Sequence, residues 1–388
     1  MHDGFIPIYR QRFFERLHEV SAHEYVVFHG QPLRGSGHRE ICGPFVFPDV
    51  RSKNLEIRLG RRVLVYEPVV RRVLSGGFDA IVVGHQFKFV AAMLLFASFK
   101  LRRRPALLWG HGYHRARDTL AARWLSHRVA RLADGYLAYT RSGAELLARH
   151  GVASERVTVL RNTIDMDEQE TAFHACLALD PGALKAELGL DPRMPLLLYV
   201  GRLTARKRVD ELLTVVERLN ADPAVAPVGL VVIGDGPMGP SLRARAAAMP
   251  TVRLLGPIDD AGAVARLMRM CEATVIPGTV GLAVAHSFAQ GLPIITRAHR
   301  DHSPEIEYVG SGRNGMVVDG GLDAFVSAIG AYLRDPDLRR RLRAGARTTA
   351  RTLDLRYSAR QFDQGVVSTI QRLRDRERSA GAERRRTR

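Results

Sequence analysis

The 388-residue sequence has few cysteines and no long apolar segment. Its three cysteines, Cys42, Cys176 and Cys271, lie far apart, and no two have the close spacing of a metal-binding motif. Sparse, unpaired thiols are typical of a reducing compartment, so we expect a cytoplasmic location. The first residues also lack the apolar run of a signal peptide. The longest apolar stretch, Phe89–Phe99, is shorter than the ~18 residues that cross a bilayer.

Acidic residues are scarce in two parts of the chain. The net charge is +18, yet residues 51–131 hold 17 basic and 4 acidic side chains, and residues 372–388 hold 8 arginines and 3 acids. The remaining residues are therefore close to neutral. Basic charge confined in this way indicates an anionic partner, such as a membrane surface, a polyanionic substrate or nucleic acid. Aromatic residues make up only 7% of the chain and no nucleic-acid recognition motif occurs, so no nucleic-acid partner is predicted.

The segment Ile276–Thr296 predicts the end of a strand, a glycine loop, a helix and the next strand. Gly278 and Gly281 interrupt the apolar run, and Leu282–Gln290 has the composition of a helix. A glycine loop that leads into a helix gathers backbone N–H groups at the positive end of the helix dipole. The segment therefore suits a phosphate group, although an ordinary strand–helix crossover has the same pattern.

Two further glycine turns follow apolar strands upstream. One strand ends at Gly201 and is followed by Arg202 and Lys207, and the next ends in a turn with Gly234 and Gly236. Cations beyond the carboxyl end of a strand suit a diphosphate, which an arginine binds through its planar fork and a lysine as a point charge. Three such turns in one half of the chain predict a nucleotide-binding crevice.

Four motifs, GRLTARK, VVIGDGP, VRLLGPI and the 276–296 segment, resemble the donor-binding half of family-4 glycosyltransferases with the GT-B fold. The resemblance covers residues 195–346. It implies an α/β fold of two Rossmann-like, doubly wound domains that face each other across a cleft. It also implies a nucleoside-diphosphate sugar donor, transfer with retention of anomeric configuration, and no metal or other cofactor. The sequence at 301–305 is similar to the His-x-Pro-Glu motif of this family.

One departure from the family concerns two glutamates, eight positions apart, that usually contact the donor sugar and its ribose. The aligned residues here are Gly278 and His286, and neither is a carboxylate. Because His286 lies one helical turn from Leu282 and from Gln290, we expect it to face the ligand, with a buried core histidine as the alternative. Without the carboxylates, an epimerase of the same fold and a donor-binding protein without catalysis remain open.

The resemblance also assigns candidate site residues. In the N-terminal half, His111 is the first catalytic candidate because it stands between glycines after a strand. Arg202 and Lys207 are predicted to stabilise the departing diphosphate. The predicted acceptor-binding residues are Tyr9, Arg10 and His114. The predicted donor-binding residues are Gly201, Gly234, Gly236, Leu255, Gly278, Thr279, Val280, Gly281, Leu282 and His286.

The alternation of strands and helices predicts two domains. We place an acceptor-binding domain at residues 1–165, a linker region at 166–194 and a nucleotide-sugar-binding domain at 195–355. A helix at 356–373 is predicted to cross back to the N-terminal domain, and 374–388 to form a disordered basic tail.

The sequence therefore predicts a retaining glycosyltransferase that acts on a lipid-linked saccharide in bacterial surface polysaccharide assembly. The basic region predicts a peripheral protein on the inner face of the membrane. Three arginines at 102–104, at the end of an apolar helix, are the predicted contact. The next helix, at 119–132, is predicted to turn Trp124, Leu125, Val129 and Leu132 inward.

Overall fold

A computed structural model describes residues 1–32, 43–60, 62–112, 119–225 and 227–386 of the chain. The chain divides into two compact units, the first formed by Met1–Asn162 with Leu355–Arg388 and the second by Thr163–Asp354. Each unit has a parallel sheet with helices packed against it. The predicted α/β class with two doubly wound, Rossmann-like domains is therefore confirmed.

The first unit opens with alternating strands and helices. In chain order these are β1 (His2–Asp3), α1 (Ile8–Val20), β2 (Val27–His29), β3 (Asp49–Arg51), β4 (Leu55–Leu59), β5 (Arg62–Tyr66), α2 (Val70–Ser75), β6 (Ile81–Gly84), α3 (Val90–Leu101), β7 (Ala106–Gly110), α4 (Leu120–Leu132), β8 (Gly135–Ala138), α5 (Arg141–Arg149) and β9 (Val157–Val159). The main sheet has the order β3-β2-β1-β6-β7-β8-β9, and β4 pairs with β5 in a separate antiparallel hairpin.

Apolar side chains cover both faces of the main sheet, because successive residues of a strand point to opposite sides. In β7, Leu108 packs with Leu95 and Phe99 of α3 on one face. Leu107 and Trp109 pack on the other face, in a cluster that includes side chains of α1. The strand is therefore buried on both sides, as its continuous apolar sequence predicts.

Helix α4 packs against the sheet through small side chains, since its buried residues are Ser126 and Ala130. Val129 packs against the apolar cluster, as predicted. Trp124, Leu125 and Leu132 are 62%, 46% and 61% exposed, so the prediction that they face inward is wrong. Small residues let the helix lie close to the sheet, and its large side chains then project from the outer side.

The second unit continues the alternation. Its elements are α6 (Met166–Cys176), α7 (Pro181–Glu187), β10 (Leu196–Val200), α8 (Val209–Asn220), β11 (Gly229–Ile233), α9 (Gly239–Ala246), β12 (Val252–Gly256), α10 (Ala261–Arg269), β13 (Ala273–Ile276), α11 (Ala283–Ala289), β14 (Ile294–Arg297), β15 (Gly315–Val318), α12 (Leu322–Arg334) and α13 (Pro336–Ala350). The strands are parallel in the order β12-β11-β10-β13-β14-β15. Numbered from β10, this is the 3-2-1-4-5-6 order of dinucleotide-binding sheets, and it reverses between β10 and β13.

The region 166–194, predicted as a linker, instead contributes two helices to the second unit. The carboxylate of Asp165 accepts two backbone N–H groups in the first turn of α6, at 3.1 and 3.3 Å. Asp180 caps α7 in the same way, and Pro181 stands in the first turn of that helix. Within the predicted linker, Asp180 and the proline after it are therefore helix-start signals.

The last helix, α14 (Leu355–Arg386), belongs to the first unit. Its Phe362 packs against Phe13 of α1, with the ring centroids 5.4 Å apart. The helix continues to Arg386, through the region predicted as a disordered tail. Among the described helices, none is both long and apolar enough to cross a bilayer.

Candidate functional site

The predicted phosphate loops leave the two strands at which the order of the second sheet reverses. Strands β10 and β13 lie side by side, and the loops that follow them contain residues 201–207 and 277–282. In an open α/β sheet, ligands bind beyond the carboxyl ends of the strands at such a reversal. The tertiary structure therefore joins two loops that are about seventy residues apart in sequence.

The glycines after β10, β11 and β12 hold these turns against one another. The Gly201 N–H donates to the carbonyl of Ile233 at 3.0 Å, and the Gly234 N–H donates to the carbonyl of Gly256 at 2.8 Å. Gly234 has a φ of 142°, and a Cβ atom there would lie 1.9 Å from the carbonyl oxygen of Gly201. Any side chain at Gly234 would force these turns apart. Gly236 likewise approaches Leu203, whose carbonyl oxygen would lie 2.5 Å from an added Cβ.

The loop after β13 packs directly on the loop after β10. The N–H groups of Gly278 and Thr279 donate to the carbonyls of Lys207 and Arg206, at 3.2 and 3.1 Å. A Cβ atom on Gly278 would lie 2.3 Å from the carbonyl oxygen of Arg206. The backbone thus occupies the place of a side chain at 278, where the family usually has its first glutamate.

Lys207 places an ammonium group at this junction. Its Nζ donates to the carbonyl of Thr279, and it would lie 3.9 Å from a Cβ atom added to Gly281. Desolvation lowers the pKa of Lys207 to about 8, and the charge of Arg206 adds to that shift, whereas the Glu305 carboxylate opposes it. A bound anion would favour the charged form.

Arg202 supplies the second cation. Its Nε is buried and has no hydrogen-bond partner among the described residues. An unpaired buried donor costs about 1–3 kcal/mol, which an anionic ligand could recover. Among the described residues, Arg269 and Arg339 also have a buried Nε without a hydrogen-bond partner. Arg202 differs from them in standing just beyond the carboxyl end of β10.

The remaining predicted donor residues differ in burial. Thr279 and Val280 are 4% and 0% exposed, whereas Leu255, Gly281 and Leu282 are half-buried. Among the described residues, no group of three or more histidines, cysteines or carboxylates could hold a metal ion.

His302 positions this loop and was not among the predicted site residues. Its Nδ1 accepts the Val280 N–H at 3.1 Å, and its Nε2 lies 2.8 Å from the carbonyl oxygen of Arg297. The ring is therefore the neutral tautomer with the proton on Nε2. Desolvation lowers the pKa of His302, and the Arg297 carbonyl opposes this shift. The sequence signal for this residue was the His-x-Pro-Glu resemblance at 301–305.

His286, predicted to face the ligand, is half-buried against α6. Its Nδ1 lies 3.4 Å from Oε1 of Gln169, and Gln290 donates to the Gln169 carbonyl at 3.1 Å. Desolvation lowers the pKa of His286 to about 4. The ring thus has a partner within the protein, and its contact with a donor stays a prediction.

The low pKa of His286 predicts a loss of stability in acid. The unfolded histidine has a pKa of 6.5, so between pH 6.5 and about 4 the unfolded state binds the extra proton. The free energy of unfolding should fall as the pH is lowered across this window. The loss should be smaller in His286→Gln than in the wild type by about 1–2 kcal/mol, measured by urea denaturation at each pH.

The control for this experiment is His174→Gln, which changes an exposed histidine of the same unit. Its free energy of unfolding should fall in acid by as much as that of the wild type. An identical pH dependence of wild type and His286→Gln would show that His286 does not titrate in this way.

The predicted residues of the first unit have different surroundings. His111 is exposed after β7, with its ring 4.7 Å from that of Tyr139. Arg10 is only 7% exposed. It donates to the Tyr139 hydroxyl at 2.6 Å and its guanidinium lies 4.2 Å from the Trp109 ring centroid. The Arg10 guanidinium is therefore buried in the unit, whereas the Tyr9 side chain is 42% exposed.

Acceptor binding by Tyr9 and Arg10, like a catalytic role for His111, stays a prediction. His114 lies outside the described residues. The aromatic and polar surroundings of Arg10, formed by Tyr139 and Trp109, were not predicted, because they join segments about a hundred residues apart.

Known proteins match both halves of the chain. Residues 12–168 match the family model described as Glycosyltransferase Family 4, and residues 182–349 match that of Glycosyl transferases group 1. The D-inositol 3-phosphate glycosyltransferases of Xylanimonas cellulosilytica and Thermomonospora curvata are 30% and 31% identical to it, over 58% and 57% of this chain. Both alignments cover 54% of the relative, so the chain spans about half the length of the curated relatives it matches.

The fold is similar to that of Alr3699/HepE from Anabaena, solved in complex with UDP. The TM-score is 0.67 at 16% identity, and the likeness covers 97% of this chain and 98% of that one. An identity this low shows the fold alone. The two family models, one on each half, carry the assignment, and the chain belongs to the family-4 type of glycosyltransferases with the GT-B fold.

Proposed function

We propose that the protein transfers a sugar from a nucleoside-diphosphate sugar whose diphosphate binds beyond β10 and β13. The observation that carries this proposal is the pair of cations at the reversal of strand order. Lys207 is half-buried with a lowered pKa, and Arg202 has a buried donor without a partner. Both features are costly in an empty protein and favourable beside an anion.

The hydrogen bonds of the loop specify where the diphosphate would bind. The N–H groups of Gly278, Thr279 and Val280 already donate to partners within the chain. The N–H groups of Val284 and Ala285 donate to the carbonyls of Gly281 and Leu282. A diphosphate would therefore bind the N–H groups of 281–283, together with the side chains of Lys207 and Arg202. Negative charge grows on the diphosphate as the sugar–phosphate bond breaks, and fixed cations stabilise that charge. We propose that no metal ion or other cofactor is required, and that configuration is retained.

For the acceptor we propose a lipid-linked saccharide used in bacterial surface polysaccharide assembly, at the inner face of the membrane. The net charge of +13 between residues 51 and 131, in the first unit, supports an anionic surface as partner. All four predicted residues of the N-terminal half lie in the sequence of the first unit. We propose that His111 acts in catalysis, and that Tyr9, Arg10 and His114 bind the acceptor.

A second acceptor class is a soluble phosphorylated polyol. The curated relatives are named D-inositol 3-phosphate glycosyltransferases, and a phosphorylated acceptor also suits a basic unit. The experiment below tests retention and identifies the sugar and the base of the donor.

The test begins with calorimetric titration of UDP, UDP-glucose and other nucleotide sugars into the full chain, with EDTA present. Binding of at least one is expected, since the donor loops are preformed. The best donor is then incubated with undecaprenyl-diphosphate saccharides and, separately, with inositol 3-phosphate. NMR of the product would give its anomeric configuration.

The possible outcomes separate the alternatives. Product from either acceptor supports a transferase and identifies its class. A changed sugar without any acceptor would indicate an epimerase. Binding with no reaction in any mixture would indicate a donor-binding protein, and no binding at all would contradict the proposed site.

A further inference from the structure

Large apolar side chains are exposed together on two helices of the first unit. The described part of the chain has twelve large apolar side chains that are exposed, and six of them lie on α3 and α4. Four of these six are more than half exposed, with 87% for Leu101, 82% for Leu120, 62% for Trp124 and 61% for Leu132. The α3–α4 face is defined here by these six, namely Leu94, Leu101, Leu120, Trp124, Leu125 and Leu132.

Both helices lie on the same side of the sheet. Strands β6, β7 and β8 are neighbours in that order, and α3 and α4 connect them. Right-handed crossovers that step in one direction place their helices on one face. The shared apolar cluster agrees, because Leu95 and Phe99 of α3 and Ala130 of α4 all belong to it. The exposed side chains of the two helices therefore face away from one side of the unit.

Basic side chains accompany the apolar ones. Arg102, Arg103 and Arg104 follow α3 and are exposed, and α4 carries exposed Arg128 and Arg131. Neither helix contains an acidic residue. The Arg128 guanidinium lies 5.5 Å from the centroid of the Trp124 ring. Arginine beside exposed leucine and tryptophan is the composition of a surface that lies at a membrane interface.

We infer that the α3–α4 face inserts into the headgroup region of an anionic phospholipid membrane, with Trp124 among the buried side chains. This inference rests on the proposed function, which places the acceptor at a membrane. It also changes the membrane contact that the sequence predicted. The arginines at 102–104 lie at one edge of the contact surface, and apolar side chains form its centre.

Charge favours a membrane over a second copy of the chain. A twofold pairing of the α3–α4 face would bring two basic, acid-free surfaces together, and like charges repel at short range. Anionic lipid headgroups instead attract each basic residue, and the acyl boundary accepts the leucines and the indole. A single surface of this kind binds reversibly, without a spanning helix.

The first experiment follows tryptophan fluorescence of the full chain. The sequence has two tryptophans, and Trp109 is only 3% exposed. Vesicles of phosphatidylglycerol should therefore shift the emission of Trp124 to the blue, and brominated lipid should quench it. Phosphatidylcholine vesicles should have no such effect, and Trp124→Phe should abolish the change. An unchanged emission with anionic vesicles at low salt would overturn the inference.

The second experiment measures vesicle binding by sedimentation. Replacing Leu120, Trp124 and Leu132 together with serine should weaken binding to phosphatidylglycerol vesicles at least tenfold. The matched control replaces Val46, Leu55 and Leu177, which are 67%, 56% and 46% exposed elsewhere, and should bind as the wild type does. Equal binding by both triple variants would contradict the role of the α3–α4 face.

Two readouts keep this inference separate from the proposed function. UDP-sugar affinity should be unchanged in both triple variants, because none of the replaced residues lies in the donor loops at 201–207 and 277–282. Loss of vesicle binding with intact donor binding would thus concern the membrane surface alone. Analytical ultracentrifugation tests whether a second copy of the chain, instead of a membrane, covers the α3–α4 face. A wild-type dimer that the first triple variant disrupts, without vesicle binding, would replace the membrane by a second copy and overturn the inference.

Discussion

Replacing Lys207 with methionine should weaken the binding of UDP or a UDP-sugar ten- to a hundredfold. The substitution removes the ammonium group but keeps an apolar chain of similar length. A hydrogen bond to a charged group contributes about 1.5–3 kcal/mol, and each 1.4 kcal/mol corresponds to about tenfold in affinity. Calorimetric titration at pH 7 measures the effect, and Arg206→Ala, which removes a neighbouring exposed charge, is the control.

The pH dependence distinguishes the ammonium from a merely structural lysine. Without a ligand, the pKa of Lys207 in the folded protein is lowered to about 8. Raising the pH through 8 therefore removes the positive charge that would bind an anionic ligand. Wild-type affinity should therefore fall above about pH 8, while Lys207→Met should show no such fall. Equal affinities of the two proteins at pH 7, or parallel pH profiles, would remove Lys207 from the donor site.

Replacing Gly278 with alanine should destabilise the second unit by more than about 2 kcal/mol and abolish donor binding. The added Cβ would lie 2.3 Å from the carbonyl oxygen of Arg206, so the two loops would have to separate. The hydrogen bonds from 278 and 279 to the opposite loop would be lost with them. Chemical denaturation and UDP titration together measure both effects.

Gly281→Ala is the matched control, because its Cβ would meet its nearest neighbour, Ser303 Oγ, at an ordinary 3.7 Å. It should fold with nearly wild-type stability. A stable Gly278→Glu protein with the usual family carboxylate would contradict the packing of the two loops. In this structure the Arg206 carbonyl occupies the space that a side chain at 278 would need.

Sequence alone was sufficient for the features that depend on local pattern. Strands that end in glycine predicted the turns at Gly201, Gly234 and Gly278, because such turns need residues without a side chain. The same motifs, in order, predicted the fold and the family, which the two family models confirm. Arg202 and Lys207 were predicted as diphosphate ligands in the same way, since their position relative to a strand end is a local property, and that role stays a prediction.

The tertiary structure decided which of these features meet. The reversal of strand order between β10 and β13 brings the loop at 201–207 against the loop at 277–282. Contacts such as Gly278 with Arg206, or His302 with the Val280 N–H, follow from that adjacency. No periodicity or spacing encodes strand order, because it depends on long-range packing of the whole sheet.

Packing also decided the direction in which side chains face. The sequence of α4 shows an apolar face with Trp124, and periodicity cannot tell whether another element covers it. In the folded unit Ser126 and Ala130 form the contact with the sheet, so the large side chains remain outside. Arg10 shows the reverse, since a cation expected at an acceptor site is enclosed by Trp109 and Tyr139. Composition determined what each helix carries, and only the arrangement of its neighbours determined what it buries.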